Sequence, residues 1–297
     1  MTRTKRFREL LSAGPILAPG CYDAFSARLI EITGFRAAYL SGFSVEATQL
    51  GAPDLGILTL TELAQHAARV TSAVDIPVIL DGEAGFGGVL NIRRAVHELE
   101  RAGVAGMHIE DQTSPKRCPL LAGRQVVSPE DALQRVKAAC AARTDPDFAI
   151  IARTDADGLG VEEVIERCNR YIEAGADMVM PMLLDATEPG WGTLTPEAQM
   201  DLMRSVAARV DGPVMGMGTI PAGYSFEHMG EAGISLVTTA ATTLSVAANA
   251  IKEHLSGLHA TGLCPEPEGP FGDPMAILEA VHLAEYTDFE ARCEGVF

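Results

Sequence analysis

The fold is decided by a phrase that recurs four times: Glu31–Gly42 (EITGFRAAYLSG), Glu100–Asp111 (ERAGVAGMHIED), Ile172–Met182 (IEAGADMVMPM) and Gly230–Ala240 (GEAGISLVTTA). Each copy ends an amphipathic helix, places a glycine, and starts a short apolar run. Gly34, Gly103, Gly175 and Gly233 sit where a helix closes in a left-handed cap before a strand begins. Outward from these, ILAPG (16–20), IPVILDGE (76–83), FAIIART (148–154) and GPVMGMG (212–218) bring the strand candidates to eight. The runs are continuously apolar instead of alternating, as in a parallel sheet buried on both faces. Ser128-Pro129-Glu130-Asp131 and Thr195-Pro196-Glu197 each set a capping hydroxyl before a first-turn proline. Eight βα units favour a closed (β/α)8 barrel, the TIM-barrel class, over an open doubly wound sheet.

The barrel is assigned to residues 1–256. The segment 257–297 holds a Pro/Gly-rich linker (257–273) and a helical arm (274–293), the arm expected on a neighbouring subunit or folded back on its own barrel. The 297 residues are 47% hydrophobic and 21% charged, a globular composition. The net charge of −17 disfavours nucleic acid and anionic membrane as partners. An anionic substrate must then meet a local arginine or a bound cation. Six cysteines without a CxxC pair, no apolar run of membrane-spanning length and no signal-peptide core at the basic start predict a cytoplasmic protein.

In such barrels chemistry sits past the C-terminal strand ends. Those positions hold Ser41-Gly42, Asp81 and Glu83, Glu110-Asp111, Arg153, Met182 and Met217. Carboxylates clustering without paired histidines point to hard-oxygen ligation, hence Mg2+, with Mn2+ as the alternative. Asp81, Glu83 and Glu110 are the metal candidates, whereas Asp111 reads as an N-cap or solvated turn. His66, His97 and His228 read as surface or satisfied-core residues. Gly85–Gly88 lacks a nucleotide-loop register and reads equally as a turn that lets the backbone pass close to a metal site. The stretch 111–127 is long for a βα loop and suggests a lid, in which Lys116-Arg117 would favour the Cys118 thiolate.

PGCYDAFSARL, YLSGFSVEA, GAPDLGILTLTE, LDGEAGFGG, GMHIEDQTSPKRC and IIARTDA, in this order, closely resemble the isocitrate lyase/phosphoenolpyruvate mutase superfamily over about residues 7–255. The likeness is to the short bacterial branch of 2-methylisocitrate lyase, dimethylmalate lyase and carboxyphosphonoenolpyruvate phosphonomutase. It implies a barrel enzyme, usually a homotetramer whose pairs exchange C-terminal helices. It implies that Tyr22, Ser41 and Gly42 contact substrate, with Phe43 standing for a common second glycine. Asp54 matches a rim aspartate near the metal, Asp81 the direct ligand, Glu83 a usual aspartate, and Glu110 a further shell carboxylate. Arg153 matches the substrate-carboxylate arginine, and Lys116 and Cys118 the Lys-x-Cys of the lyases' mobile loop, where the cysteine donates a proton.

Three departures stand out: Pro119-Leu120 replaces Gly-His, Met182 a glutamate, and Met217 an asparagine. The expected reaction is Mg-dependent carbon–carbon cleavage of a 2-hydroxy acid more apolar than methylisocitrate. The alternatives are a mutase or decarboxylase on the same enolate platform, and a non-catalytic barrel that binds a small acid.

Overall fold

A computed structural model describes residues 1–264 and 266–294. Eight parallel strands close into one barrel in sequence order: β1 (Ile16–Cys21), β2 (Ala38–Leu40), β3 (Val78–Asp81), β4 (Gly106–Glu110), β5 (Ala149–Thr154), β6 (Met178–Pro181), β7 (Val214–Met215) and β8 (Ile234–Thr239). The ring shuts where Ile16–Pro19 pair with Leu236–Thr239. The outer layer comprises α2 (Ala24–Ile32), α4 (Leu60–Ser72), α5 (Val89–Arg101), α6 (Pro129–Ala142), α7 (Val161–Glu173), α8 (Pro196–Ala207), α9 (Phe226–Glu231) and α10 (Thr242–Thr261). The expected barrel is the observed one, and the four repeat glycines take φ of 100°, 80°, 101° and 92°. Ser128 and Thr195 cap α6 and α8 as read from the sequence.

The helix that precedes β1 packs against the lower end of the barrel. In α1 (Arg3–Ala13) Phe7 is fully buried in the same cluster as the barrel-lining Ile16, Tyr39, Ile79 and Ile151. Arg3 and Arg8 donate to the carbonyls of Val74, Asp147 and Phe148, just before β3 and β5.

Strand side chains alternate in direction, so every second residue lines the interior. Ala38, Leu40, Val78, Leu80, Met107 and Ile109 pack outward against the helices, while Tyr39, Ile79, Ile151 and Met180 pack inward. The same parity carries Asp81, Glu110, Arg153 and Met182 inward at the upper end of β3 to β6. Hydrophobic burial on the helix side thus determines which residues face the mouth.

Two boundaries differ from the sequence reading. α10 continues to Thr261, so the first residues of the supposed linker are helical. The arm is two helices, α11 (Pro274–Ala280) and α12 (Leu283–Glu294), broken where His282 adopts φ 66°. Residues 265 and 295–297 of segment 257–297 lie outside the described residues.

Candidate active site

Asp81 ends β3, and Glu83 follows in a turn that bends back over the strand. Glu83 takes φ 55°, a conformation uncommon for a residue with a Cβ. Two bonds hold it there: its N–H donates to Asp81 Oδ1 at 3.0 Å, and its carbonyl accepts from the Glu110 N–H at 3.0 Å. Gly82 between them has no room for a side chain, since a Cβ would lie 2.3 Å from Met107 Cε. Across the mouth, Gly42 opens the short helix α3 (Gly42–Val45), and a Cβ there would fall 2.7 Å from Glu83 Oε1 and 2.8 Å from Asp81 Oδ2. The two carboxylates therefore aim at one spot, kept open by a glycine.

Arg153, 5% exposed, lies one residue before the end of β5 between two carboxylates: its guanidinium lies 3.1 Å from Glu110 Oε2 and 2.7 Å from Asp155 Oδ1. Lys116 reaches down from the loop 111–127, pairing with Asp54 and, at 2.8 Å, with Glu83 Oε2. The loop rests on the rim, where the Cys118 N–H donates to the Asp54 carbonyl at 3.0 Å. Its two legs are joined by Thr113 N–H to Gln125 O (2.8 Å) and Val127 N–H to Asp111 O (2.9 Å). Beside the loop, a cavity of about 320 Å³ is bordered by Glu83, Phe86, Lys116 and Arg135.

Asp54 is positioned from a distance. After α3 the chain makes a π-helical turn (Glu46–Leu50), an irregularity frequent at functional sites. Its fully buried Glu46 accepts the backbone N–H groups of Leu55, Ile57 and Leu58, fixing the loop that bears Asp54.

Burial sets the electrostatics. It pushes the Glu110 carboxyl up to about 8 and raises Glu83 well above the usual range, with Asp81 adding to the latter. Burial would raise Asp81 too, but His108, Lys116 and Arg153 outweigh it and hold this carboxyl at about 2. His108 is itself pushed down to about 4 by burial, so near neutral pH Lys116 and Arg153 carry the effect. Both oxygens of Glu83 and of Glu110 are buried without a hydrogen-bond partner, though Lys116 and Arg153 stand in charge contact. Crowded, desolvated and incompletely paired carboxylates are what a divalent cation relieves. The donor set is all oxygen, so the residues fit Mg2+ or Mn2+. A tighter grouping, Glu46, Asp54 and Glu83, has oxygens within 4.8 Å of one another. It is the weaker candidate, because three N–H groups already occupy Glu46 and Lys116 covers Asp54.

Two expectations need revision. The Cys118 thiol is not shifted toward thiolate: it is buried, and burial with the Asp54 carboxylate raises it. Arg117 points to solvent, and the charge of Lys116 is taken up by Asp54 and Glu83. Asp111 is neither an N-cap nor solvated. It is buried, accepting from Thr154 Oγ1, the Asp155 N–H, Arg167 and Tyr171 Oη at 2.7–3.1 Å, and so ties β4 to β5 and α7. Gly85 serves packing, since a Cβ there would meet Ile92 Cγ1 at 2.5 Å.

The histidine readings hold for the helices: His66 bonds the Tyr22 carbonyl and His97 that of Ala142. The histidine at the site is not on a helix. His108, on β4 inside the barrel, contacts Tyr39 Oη at 2.8 Å and Asp81 Oδ1 at 3.4 Å. Strand parity counted back from Glu110 would have found it.

The remaining site residues lie on the same rim with fewer constraints. Ser41 is buried and gives α3 no side-chain cap. Tyr22 is half-buried after β1, its phenol raised by burial and then by Asp23. Phe43 is half-buried on α3. Met182 joins the barrel-interior cluster with Met180, and Met217 packs against it. The site thus gathers Asp81, Glu83, Glu110, Arg153, Lys116 and Asp54 tightly, with the methionines opposite.

Comparisons with known proteins agree with this geometry. The sequence profile of the phosphoenolpyruvate phosphomutase family matches residues 7–259. An isocitrate lyase of Haloferax volcanii is 48% identical over 60% of the chain, and 2,3-dimethylmalate lyase of Eubacterium barkeri 44% over 60%. A 2-methylisocitrate lyase of Aeropyrum pernix is 40% identical over 80% of the chain and 73% of its own length. The chain spans 53% of the Haloferax protein and 63% of the dimethylmalate lyase. Among solved structures, oxaloacetate acetylhydrolase with 3,3-difluorooxalacetate superposes with a TM-score of 0.88 at 30% identity, covering 99% of this chain and 97% of that one. Phosphonopyruvate hydrolase with oxalate and Mg2+ gives 0.86 at 27%, covering 98% and 99%. A closed barrel, a carboxylate rim under a Lys-x-Cys loop and a profile match over most of the chain lead to one conclusion: this protein belongs to the phosphoenolpyruvate mutase/isocitrate lyase superfamily.

Proposed function

We propose that this protein is a Mg2+-dependent carbon–carbon lyase that cleaves a 2-hydroxy acid into a 2-oxo acid and a carboxylate. The observation that carries the reading is the set of orphaned oxygens on Glu83 and Glu110 beside Asp81, beneath a loop bearing Lys116 and Cys118. Asp81, Glu83 and Glu110 would hold the cation. When bound, it supplies a Lewis acid that stabilises negative charge growing on the substrate's 2-oxygen.

Arg153 and the Ser41-Gly42 backbone bind the substrate carboxylate. Asp54, the carboxylate base on the chain, takes the hydroxyl proton as the C2–C3 bond breaks and C2 becomes a carbonyl, whereas the Tyr22 phenol, raised by burial, stays protonated. The bonding pair passes to C3 as an enolate, and Cys118 Sγ–H delivers the proton to that carbon. A thiol raised by burial stays protonated until then, as a donor must. The closed loop excludes water from the carbanion. Lys116 balances the negative charge that the carboxylates concentrate there. Met182 and Met217 offer no donor to a further carboxylate, so an alkylated malate fits better than methylisocitrate.

A second reading is cleavage of a 2-oxo diacid by hydrolysis or decarboxylation on the same platform, favoured by the superposition on oxaloacetate acetylhydrolase. Retention of Cys118 favours the lyase. A screen of substituted malates for 2-oxo-acid release, run beside oxaloacetate consumption, separates the two. Failure of Mg2+ with oxalate to raise Tm would leave only a non-catalytic barrel.

In this structure the arm 274–293 lies against α2 of its own chain, where Arg28 Nε donates to the Ala280 carbonyl at 3.1 Å, and the working form we propose is a homotetramer in which that contact is exchanged with a neighbour. α10 buries none of its 20 residues and exposes Val246, Ile251 and Leu255, and α11 exposes Met275, Ile277 and Leu278. A monomeric mass by light scattering at micromolar concentration would overturn this. Among the described residues no helix is long and apolar enough to cross a membrane.

A further inference from the structure

The outer leg of the loop 111–127 carries a cation that the proposed chemistry leaves unused. Arg124 is 5% exposed at its side chain and makes ion pairs with three carboxylates: Asp155 Oδ1 at 3.2 Å, Asp157 Oδ1 at 2.9 Å and Asp185 Oδ2 at 2.6 Å. A second bond to Asp157 Oδ2, at 3.1 Å, makes that pair bidentate. Surface pairing does not require so much, and a long side chain held this way has lost its rotamer freedom.

The informative contact is the one to Asp155. The oxygen that Arg124 approaches is the one that accepts Arg153 NH2 at 2.7 Å. Arg153 in turn meets Glu110 at 3.1 Å. Four groups therefore run in line from the loop into the site: Arg124, Asp155, Arg153, Glu110. The backbone of Asp155 is fixed by its N–H to Asp111 Oδ1 at 2.8 Å, while its Oδ2 is buried with no partner. Asp155 is thus a firmly mounted carboxylate whose charge is shared between two guanidinium groups.

We infer that Arg124 is a positioning residue that couples closure of the loop to substrate binding by Arg153. The inference rests on the reading that Arg153 binds a substrate carboxylate. With the loop closed, Arg124 draws on the charge of Asp155 and weakens its claim on Arg153, leaving the latter's guanidinium free to meet an incoming anion. With Arg124 withdrawn, Asp155 competes for Arg153 at full charge. The anion then binds less tightly. Asp155 is the intermediary and Arg153 the group that touches substrate.

Calorimetry of oxalate binding to the Mg2+-loaded full chain tests this, with Mg2+ affinity measured separately. Arg124→Gln should weaken oxalate by about 10–100-fold, the usual reach of outer-shell partners, and leave Mg2+ affinity within about 3-fold. Arg124→Lys, which keeps the charge, should recover part of the loss. Because Arg124→Gln strands buried Asp157, the double variant Arg124→Gln/Asp157→Asn checks that the loss does not come from damaged folding; the weakening should persist there. In an Asp155→Asn background Arg124→Gln should add less than about 2-fold, since the intermediary is gone. Unchanged oxalate affinity in Arg124→Gln, recovery in the Asp157 double variant, or independent multiplication of the Arg124 and Asp155 effects would each overturn the coupling while leaving the functional reading in place. No oxalate binding by the unaltered chain would overturn that reading and the coupling with it.

Discussion

The upper ends of β3, β4 and β5 present Asp81, Glu110 and Arg153 to the mouth, whereas β6 and the turn after β7 present Met182 and Met217. The backbone geometry of the two halves is alike: parallel strands, period-two alternation, helices outside. Their interiors are opposite in polarity. One half concentrates desolvated charge and the other offers a polarisable apolar wall that admits no counter-charge. The difference suggests a division of labour. Under the proposed function the charged half would handle the carboxylate and 2-oxygen common to many acids, while the methionine half would select what else the substrate carries. The apolar wall also lowers the local dielectric, which strengthens every interaction on the charged side.

Removing the charged half should cost most. Asp81→Ala is expected to abolish Mg2+ binding by calorimetry and to cut turnover by at least ~1,000-fold, and chelation of the metal should do the same to the unaltered enzyme. Turnover and metal affinity like the parent's would place the centre elsewhere. Cys118→Ser comes next, with turnover lower by about 100–1,000-fold and oxalate affinity within about 2-fold, because the proton donor acts after the carboxylate is bound.

Altering the apolar half should redirect the enzyme instead of silencing it. The parent is expected to prefer 2,3-dimethylmalate to methylisocitrate in kcat/KM, and Met182→Gln to shift that ratio by about 10-fold toward methylisocitrate. A parent that already favours methylisocitrate would end the argument for an apolar wall. The smallest effect concerns rate against pH. Burial and Asp54 raise the Cys118 thiol from 9.0, so its reactive thiolate is scarce at neutral pH. Its alkylation by iodoacetamide should be slow at pH 7.5 and still be climbing above pH 9. A plateau below pH 8 would mean a thiolate and sink its role as a resting proton donor.

The division into halves was largely legible in the chain. Asp81, Glu110, Arg153, Met182 and Met217 were found by counting to strand ends, which succeeds because a strand's period fixes which side chains share a face. Glu83 was found by proximity alone; its turn conformation depends on the Glu110 N–H, contributed from 27 residues later. His108 and Tyr39 lie below the strand ends and so carry no strand-end signal, although the parity that turns Glu110 inward leads directly to His108. Glu46 and Arg124 gave no local signal. Each acts on a loop remote in sequence, through contacts that periodicity does not encode.

From the sequence alone came the repeat, the closed barrel, the acidic rim and the loop above it, since all of these follow from short-range periodicity and capping chemistry. Only the tertiary structure decided the protonation and pairing of what lies on that rim. It turned Lys116-Arg117 from two charges acting on Cys118 into one buried lysine paired with two carboxylates and one solvated side chain. It also made Asp111 a buried junction and Cys118 a protonated thiol. The reason is that a charge's energy is set by its desolvation and by the partners within a few ångströms, and for these residues those partners are brought in by other strands and loops.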